Sequence, residues 1–275
     1  MSFAERLARG AFPVALEITP PQGTRDHVLL RRANFLAGTA TAINVVSRPM
    51  RQSSLAASIT LRAAGYNPAW HLVTRGRSRE QLQRELLDAA AGSVNQVLVV
   101  RGDHEAADAP GAPTIRETIS LARESMPEAL LGATLNQYLP DRAAVLRNLL
   151  PKLHAGANYV QTQPVFDLET VRPLAEAVKS ANPKVHVVAM VMPLLTPDAA
   201  ARVGARLGIT LRKDLAAVEA FAWQHFDETV AALAASPLVD GLAVMTFEMD
   251  PPASVGLRIV EALRKAGGNV PLAVE

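Results

Sequence analysis

A glutamate interrupts an otherwise apolar stretch at Leu16-Glu17-Ile18-Thr19-Pro20-Pro21. A carboxyl group in such surroundings loses solvent, and desolvation raises its pKa toward neutrality, which suits a general acid. On position alone, a glutamate paired with a nearby arginine is an equal alternative. His71 lies in a second apolar stretch, before Thr74-Arg75-Gly76-Arg77. It could face a ligand, although a lone histidine there is more often part of the core.

Arg101-Gly102-Asp103-His104 follows a third apolar run, Asn95 to Val100. The glycine lets backbone approach a ligand closely, with an arginine and an aspartate beside it. A surface ion pair is the alternative. Gln161-Thr162-Gln163-Pro164, followed by Val165-Phe166-Asp167, ends a further run. A glutamine there can offer paired amide contacts to a heterocycle edge, or simply bond to loop backbone. Glu17, Asp103 and Gln163 together supply an acid, a charged acceptor and an amide, a set suited to a flat, nitrogen-rich ligand.

These groups share one feature: each falls where a short β-branched run ends. Strands are expected at 12–18, 41–46, 69–73, 95–100, 130–134, 158–162, 185–191 and 241–246. Helical spacing of apolar residues fills the intervals at 25–37, 54–64, 79–90, 114–125, 143–154, 168–180, 197–207 and 215–235, and again at 255–266. Eight strands alternating with helices imply a parallel sheet closed as a (β/α)8 TIM barrel, whose chemistry sits at the C-terminal strand ends. An open doubly wound sheet is the other option, but no Gly-x-Gly-x-x-Gly follows the first strand. The long interval between the seventh and eighth strands holds two helices. No linker is visible, so residues 1–275 read as a single barrel domain.

Composition narrows the chemistry. Lys and Arg number 28 against 26 Asp and Glu, without a basic run interleaved with aromatics, so a nucleic-acid partner is not expected. No cysteine is present, which excludes disulfides, thiolate metal sites and a cysteine nucleophile. No His/Asp/Glu set has metal-ligand spacing, and no serine sits in a Gly-x-Ser-x-Gly elbow. Met1 to Gly10 does not read as a signal peptide, and no apolar run reaches the roughly 18 residues of a membrane helix, so a cytoplasmic protein away from membranes is expected.

Glu17 to Pro21, His71-Leu72, Arg101 to Asp103, and Gly156-Ala-Asn-Tyr-Val-Gln-Thr-Gln-Pro-Val-Phe-Asp167 occur in this order and spacing. In this the chain resembles the methylenetetrahydrofolate reductases from Phe12 to about Thr246. The resemblance implies a (β/α)8 barrel of one-carbon metabolism and methionine biosynthesis. It would reduce 5,10-methylenetetrahydrofolate to 5-methyltetrahydrofolate with NADH or NADPH, usually through bound FAD. It makes Glu17 the general acid that helps open the methylene bridge, and Asp103 an electrostatic contact to the pterin. It places Gln163 and Phe166 on the folate side, and His71, Arg101 and Gly102 on the flavin side.

Departures from that pattern gather on the flavin side. Leu135-Asn136-Gln137-Tyr138 stands where bacterial relatives often carry Tyr-Pro and an acid–histidine pair. An expected aspartate and basic residue align with Val145 and Pro151, leaving Asn148 and Lys152 as cofactor-side candidates. A threonine expected after strand two is Val46, and a rim glutamine aligns near Ala217. Weak flavin binding, or hydride passing directly from the nicotinamide, is the expectation these departures add. Two other functions compete: a folate- or flavin-binding barrel subunit acting with a protein partner, and a corrinoid-linked methyl-folate methyltransferase. Glu17 favours the reductase, since a ready-made methyl group needs no bridge-opening acid. Homo-oligomerisation stays open.

Overall fold

The computed structural model describes residues 1–102, 111–211 and 218–267. Eight parallel strands close into a barrel in sequence order. They are β1 (Val14–Ile18), β2 (Ala42–Val45), β3 (Pro68–Val73), β4 (Gln96–Val100), β5 (Leu130–Leu135), β6 (Tyr159–Pro164), β7 (His186–Val191) and β8 (Gly241–Val244). Closure is direct, with β1 pairing β2 on one side and β8 on the other. Both faces of these strands are buried, as expected of a parallel sheet covered by helices.

The strand period of two divides the apolar residues into two cores. Outward positions such as Leu16, Ile43, Val97, Leu131, Val160, Val187 and Leu242 pack beneath the helices. Inward positions Ala15, Ala42, Leu98, Tyr159, Val188, Met190 and Ala243 fill the barrel itself. Small and large residues interlock in the lumen. A side chain at Gly132 would place its Cβ 2.3 Å from Cζ of Tyr159, so the tyrosine ring occupies the space that β5 leaves empty.

Several of the helices begin at a side-chain cap. Ser78 opens α4 (Arg79–Ala91) with a reciprocal Gln81 contact, and Thr114 does the same with Glu117 at α5 (Ile115–Ser125). Two helices, α8 (Pro197–Leu207) and α9 (Glu219–Ala235), separate β7 from β8, as the long interval implied. The remaining barrel helices are α2 (Asp26–Ala33), α3 (Ser54–Ala63), α6 (Arg142–His154), α7 (Leu168–Ala181) and α10 (Ala253–Lys265).

Strand and helix ends shift by one or two residues in places, as at β1 and β8, and two helices depart further from the expectation. Helix α2 stops at Ala33 instead of 37: Asn34 caps it, a turn follows, and the positive φ angles of Ala37 and Gly38 bar any helix from running through them. Helix α1 (Phe3–Ala8) was not anticipated. Its Ser2–Glu5 capping box nucleates it, and Phe3 and Leu7 pack with the lumen residues of the barrel.

Candidate active site

Glu17 is the fourth of five residues in β1 and has inward parity, opposite to Leu16 and Ile18. Asn44 is its register partner on β2. Gln161 reaches both from β6, a strand not adjacent to either. Asn44 Nδ2 donates to Gln161 Oε1 at 2.8 Å, and Gln161 Nε2 donates to Glu17 Oε2 at 3.4 Å. Asn44 and Gln161 are only 1% and 3% exposed, whereas Glu17 keeps partial access to solvent. Burial pushes the Glu17 carboxyl up to about 7, against the opposing pull of Arg48, the Gln161 hydrogen bond and Arg206. A carboxyl that titrates near neutrality can give or take a proton at working pH.

Strand β6 carries a register shift against β7 between Gln161 and Pro164. Thr162 supports this irregularity with its hydroxyl, which accepts from Met190 N at 2.9 Å and donates to Gln163 O at 2.7 Å. Gln163 follows, held through its backbone. Gln137 Nε2 donates to Gln163 O at 2.9 Å, and Gln163 N donates to Gln137 Oε1 at 3.1 Å. Tyr138 adds a hydroxyl bond to Pro164 O at 2.6 Å. The Gln163 side chain makes no hydrogen bond among the described residues and is partly exposed. Phe166 lies just beyond β6. It packs with Met192 and Leu194 at 7% exposure and lines a small cavity with His225 and Phe226.

His71 lies on β3 with Nε2 buried and without a hydrogen-bond partner. Burial lowers its pKa to about 4, so the ring is neutral at physiological pH. The β3–β4 ladder continues past the strands, with Thr74 N donating to Val100 O and Arg75 N to Arg101 O, each at 3.0 Å. This fixes the backbone of Arg101 and Gly102. Gly102 has a φ of +93°, and a Cβ there would lie 2.6 Å from Cγ1 of Val73, so no other residue fits without a shift. Asp103 lies outside the described residues, as does Ala217.

The remaining cofactor-side candidates lie on α6. Asn148 turns its amide back onto its own helix at Ala144 O, 3.0 Å away. Lys152 is partly buried, which pulls its pKa down. Val145 is buried in the core and Pro151 sits inside the helix. Asn136, Gln137 and Tyr138 are engaged with their own loop and with β6. Among the described residues, these positions offer a flavin diphosphate little beyond Lys152.

Asn44 and Gln161 are the polar groups that sequence reasoning did not select. Their signal was inward parity: both are amides at alternate positions of apolar strands, level with Glu17. Among the described residues, no group of three or more His, Cys, Asp or Glu could hold a metal ion, and no helix is long and apolar enough to cross a membrane.

Comparison with solved structures finds similar barrels at low identity. One is an uncharacterized protein from Clostridium thermocellum described as binding two copies of 5-methyl-5,6,7,8-tetrahydrofolic acid. It is 12% identical with a TM-score of 0.71, the match covering 96% of this chain and 98% of that one. Another is the 2-keto-3-deoxy-6-phospho-gluconate aldolase from Zymomonas mobilis ATCC 29191, at 14% identity and a TM-score of 0.51 over 100% of both chains. At these identities the likeness speaks for the fold. No curated protein matches significantly in sequence. The family described as methylenetetrahydrofolate reductase matches residues 2–250, nearly the whole barrel with its Glu17, Gln161 and Gln163 strand ends, and the chain belongs to that family.

Proposed function

We propose that this protein reduces 5,10-methylenetetrahydrofolate to 5-methyltetrahydrofolate, with NADH or NADPH as the source of hydride. The observation that carries this reading is Glu17, a carboxyl at the mouth of the barrel whose pKa burial raises to about 7. Folate as the substrate class draws support from the family match and from the methyltetrahydrofolate-binding C. thermocellum neighbour.

Protonation of N10 by Glu17 breaks the bond between N10 and the bridging carbon. The electron pair of that bond stays on N10, and N5 holds the carbon as an iminium cation. Hydride addition to that carbon gives the N5-methyl product and oxidised nicotinamide. Gln163, with its backbone clamped and its amide unengaged, is suited to a pterin edge. Asp103 would stabilise the cation electrostatically, in the role its motif carries in the family.

FAD serves many members of the family as hydride carrier. His71 fits a ring-side contact, since a buried neutral imidazole has an Nε2 to offer. The diphosphate side fits poorly, because the strand-five loop and α6 use their polar groups internally. Hydride transfer is therefore assigned to the nicotinamide directly.

The test is NAD(P)H oxidation by the purified protein with and without methylenetetrahydrofolate, before and after adding FAD. Folate-dependent oxidation with no flavin absorbance supports the reading. Stoichiometric FAD on purification overturns direct transfer, and no folate-dependent oxidation under any condition overturns the reductase.

A further inference from the structure

The geometry points to Asn44 and Gln161 as positioning residues that hold the proton of Glu17 on Oε1. This inference rests on Glu17 being the acid of the proposed reduction.

A primary amide is asymmetric: one end only accepts, and the other only donates. Asn44 Nδ2 occupies the accepting end of Gln161 at 2.8 Å. The NH2 end of Gln161 is thereby turned to Glu17 Oε2, 3.4 Å away. An oxygen facing an N–H donor must present a lone pair, so the acidic proton belongs on Oε1. Oε1 has no hydrogen bond among the described residues and is the oxygen left for substrate. The relay spans the barrel, from Asn44 on β2 through Gln161 on β6 to Glu17 on β1, and both amides are almost fully buried. Neither amide titrates. The arrangement therefore orients the acid at every pH without introducing a second proton-binding group.

The charged and titratable groups that act on Glu17 from neighbouring elements are Arg48, after β2, and Arg206, on α8. Both favour the carboxylate. His71, on β3, is neutral in the working range. Donation from Gln161 also favours the carboxylate, so the relay holds the pKa of Glu17 below the value that burial alone would set.

The test compares the wild type with Gln161→Met, which keeps the side-chain volume but cannot donate, and with Asn44→Leu, which frees the Gln161 amide to turn over. Two readouts are taken: the pH profile of kcat/KM for folate-dependent NAD(P)H oxidation, and the carboxyl titration of Glu17 by 13C NMR, assigned with Glu17→Gln. A general acid makes kcat/KM fall as pH rises through its pKa. Both variants should move that basic limb and the NMR midpoint to higher pH, by roughly half a unit or more, and should lower kcat at the plateau. A drop in kcat with the midpoint unmoved means packing alone and overturns the relay. A downward shift means that the amide accepts from the protonated acid, and it overturns the Oε1 assignment. If Glu17→Gln keeps the basic limb, Glu17 is not the acid, an outcome separate from either failure of the relay. The NMR midpoint remains readable in any folded variant, active or not.

Discussion

Arg32, on α2, and Asp250, after β8, tie together the loops that flank Glu17. Arg32 grips both carboxylate oxygens of Asp250 through Nε and Nη2, and its Nη1 donates to Thr19 O at 2.6 Å. Thr19 is two residues beyond Glu17. Arg31 adds a bond to Asp250 at 2.8 Å. The guanidinium of Arg32 is buried while Asp250 is half exposed, so the pair works as a fixed post with a solvated counter-ion.

Replacing Asp250 with Ala should cost about 1–2 kcal/mol, because water can reach the freed guanidinium and screening already weakens the pair. Urea denaturation measures this. Folate-dependent kcat/KM should fall several-fold as Thr19 loosens. The arginine hydrogen bonds hold Asp250 at about 2, below its ordinary value. A depressed carboxyl stabilises the fold above its ordinary pKa, and that contribution is lost as pH falls through the folded value. The difference between wild type and Asp250→Asn should therefore shrink in strong acid. A constant difference down to pH 2 would contradict the ion pair.

Glu17→Gln should lose at least 100-fold in folate-dependent activity while gaining stability above neutral pH. The sign follows from a carboxyl whose folded pKa, about 7, exceeds the ordinary 4.5. Between those values the folded state holds the proton and the unfolded state does not, so wild-type stability falls as pH rises through the interval. Above pH 7 the full cost is present, roughly 2 kcal/mol once water at the barrel mouth is allowed for. Thermal unfolding at pH 8 should place Glu17→Gln above wild type, and the gap should close by pH 4. A variant that is inactive and also less stable at pH 8 would show that Glu17 has a structural role instead.

His71 titrates in the opposite sense. Burial lowers its pKa from 6.5 to about 4. As pH falls through 6.5 the unfolded chain takes up a proton that the folded one refuses, so stability declines until the folded pKa is passed. His71→Gln removes this liability and should flatten the acid side of the stability curve between pH 6.5 and 4. The Glu17 contribution rises over nearly the same interval, so the two partly cancel in the wild type and separate only in the single variants. An unchanged acid slope in His71→Gln would mean that the ring is not desolvated.

The barrel was legible because its signal is distributed: eight apolar runs, each bounded by Gly, Pro or Asn, point the same way. Helix α1 was not, since six residues show too little periodicity; only the Ser2–Glu5 box marks it. Within the site, Glu17 was readable as a charge in an apolar strand, and Gly102 as a turn residue beside charged neighbours. Asn44 and Gln161 were harder, because an amide within a strand resembles any tolerated polar residue until the partner across the lumen is known. That partner lies 117 residues away in the chain. The seat of Phe166 against Met192 and Leu194 is set by packing between strand ends, which no local pattern encodes.

Gln137 offers a test of whether Gln163 is held in place for the substrate. Its buried amide meets the backbone of Gln163 twice and Pro164 O once, at 3.3 Å. Gln137→Ala leaves Gln163 N without a partner, while Gln163 O keeps the Thr162 hydroxyl and Pro164 O keeps the Tyr138 hydroxyl, and should cost about 1–2 kcal/mol. If Gln163 contacts the pterin, the KM for folate should rise by about tenfold while the KM for NAD(P)H stays put, since about 1.4 kcal/mol of positioning corresponds to that factor. Tyr138→Phe is the control. It removes the bond to Pro164 O but leaves both Gln163 contacts, so it should cost about 1 kcal/mol and leave the folate KM unchanged. Equal KM effects in the two variants would assign the influence to the strand-six end as a whole. A destabilised Gln137→Ala with a normal folate KM would remove Gln163 from the pterin contacts.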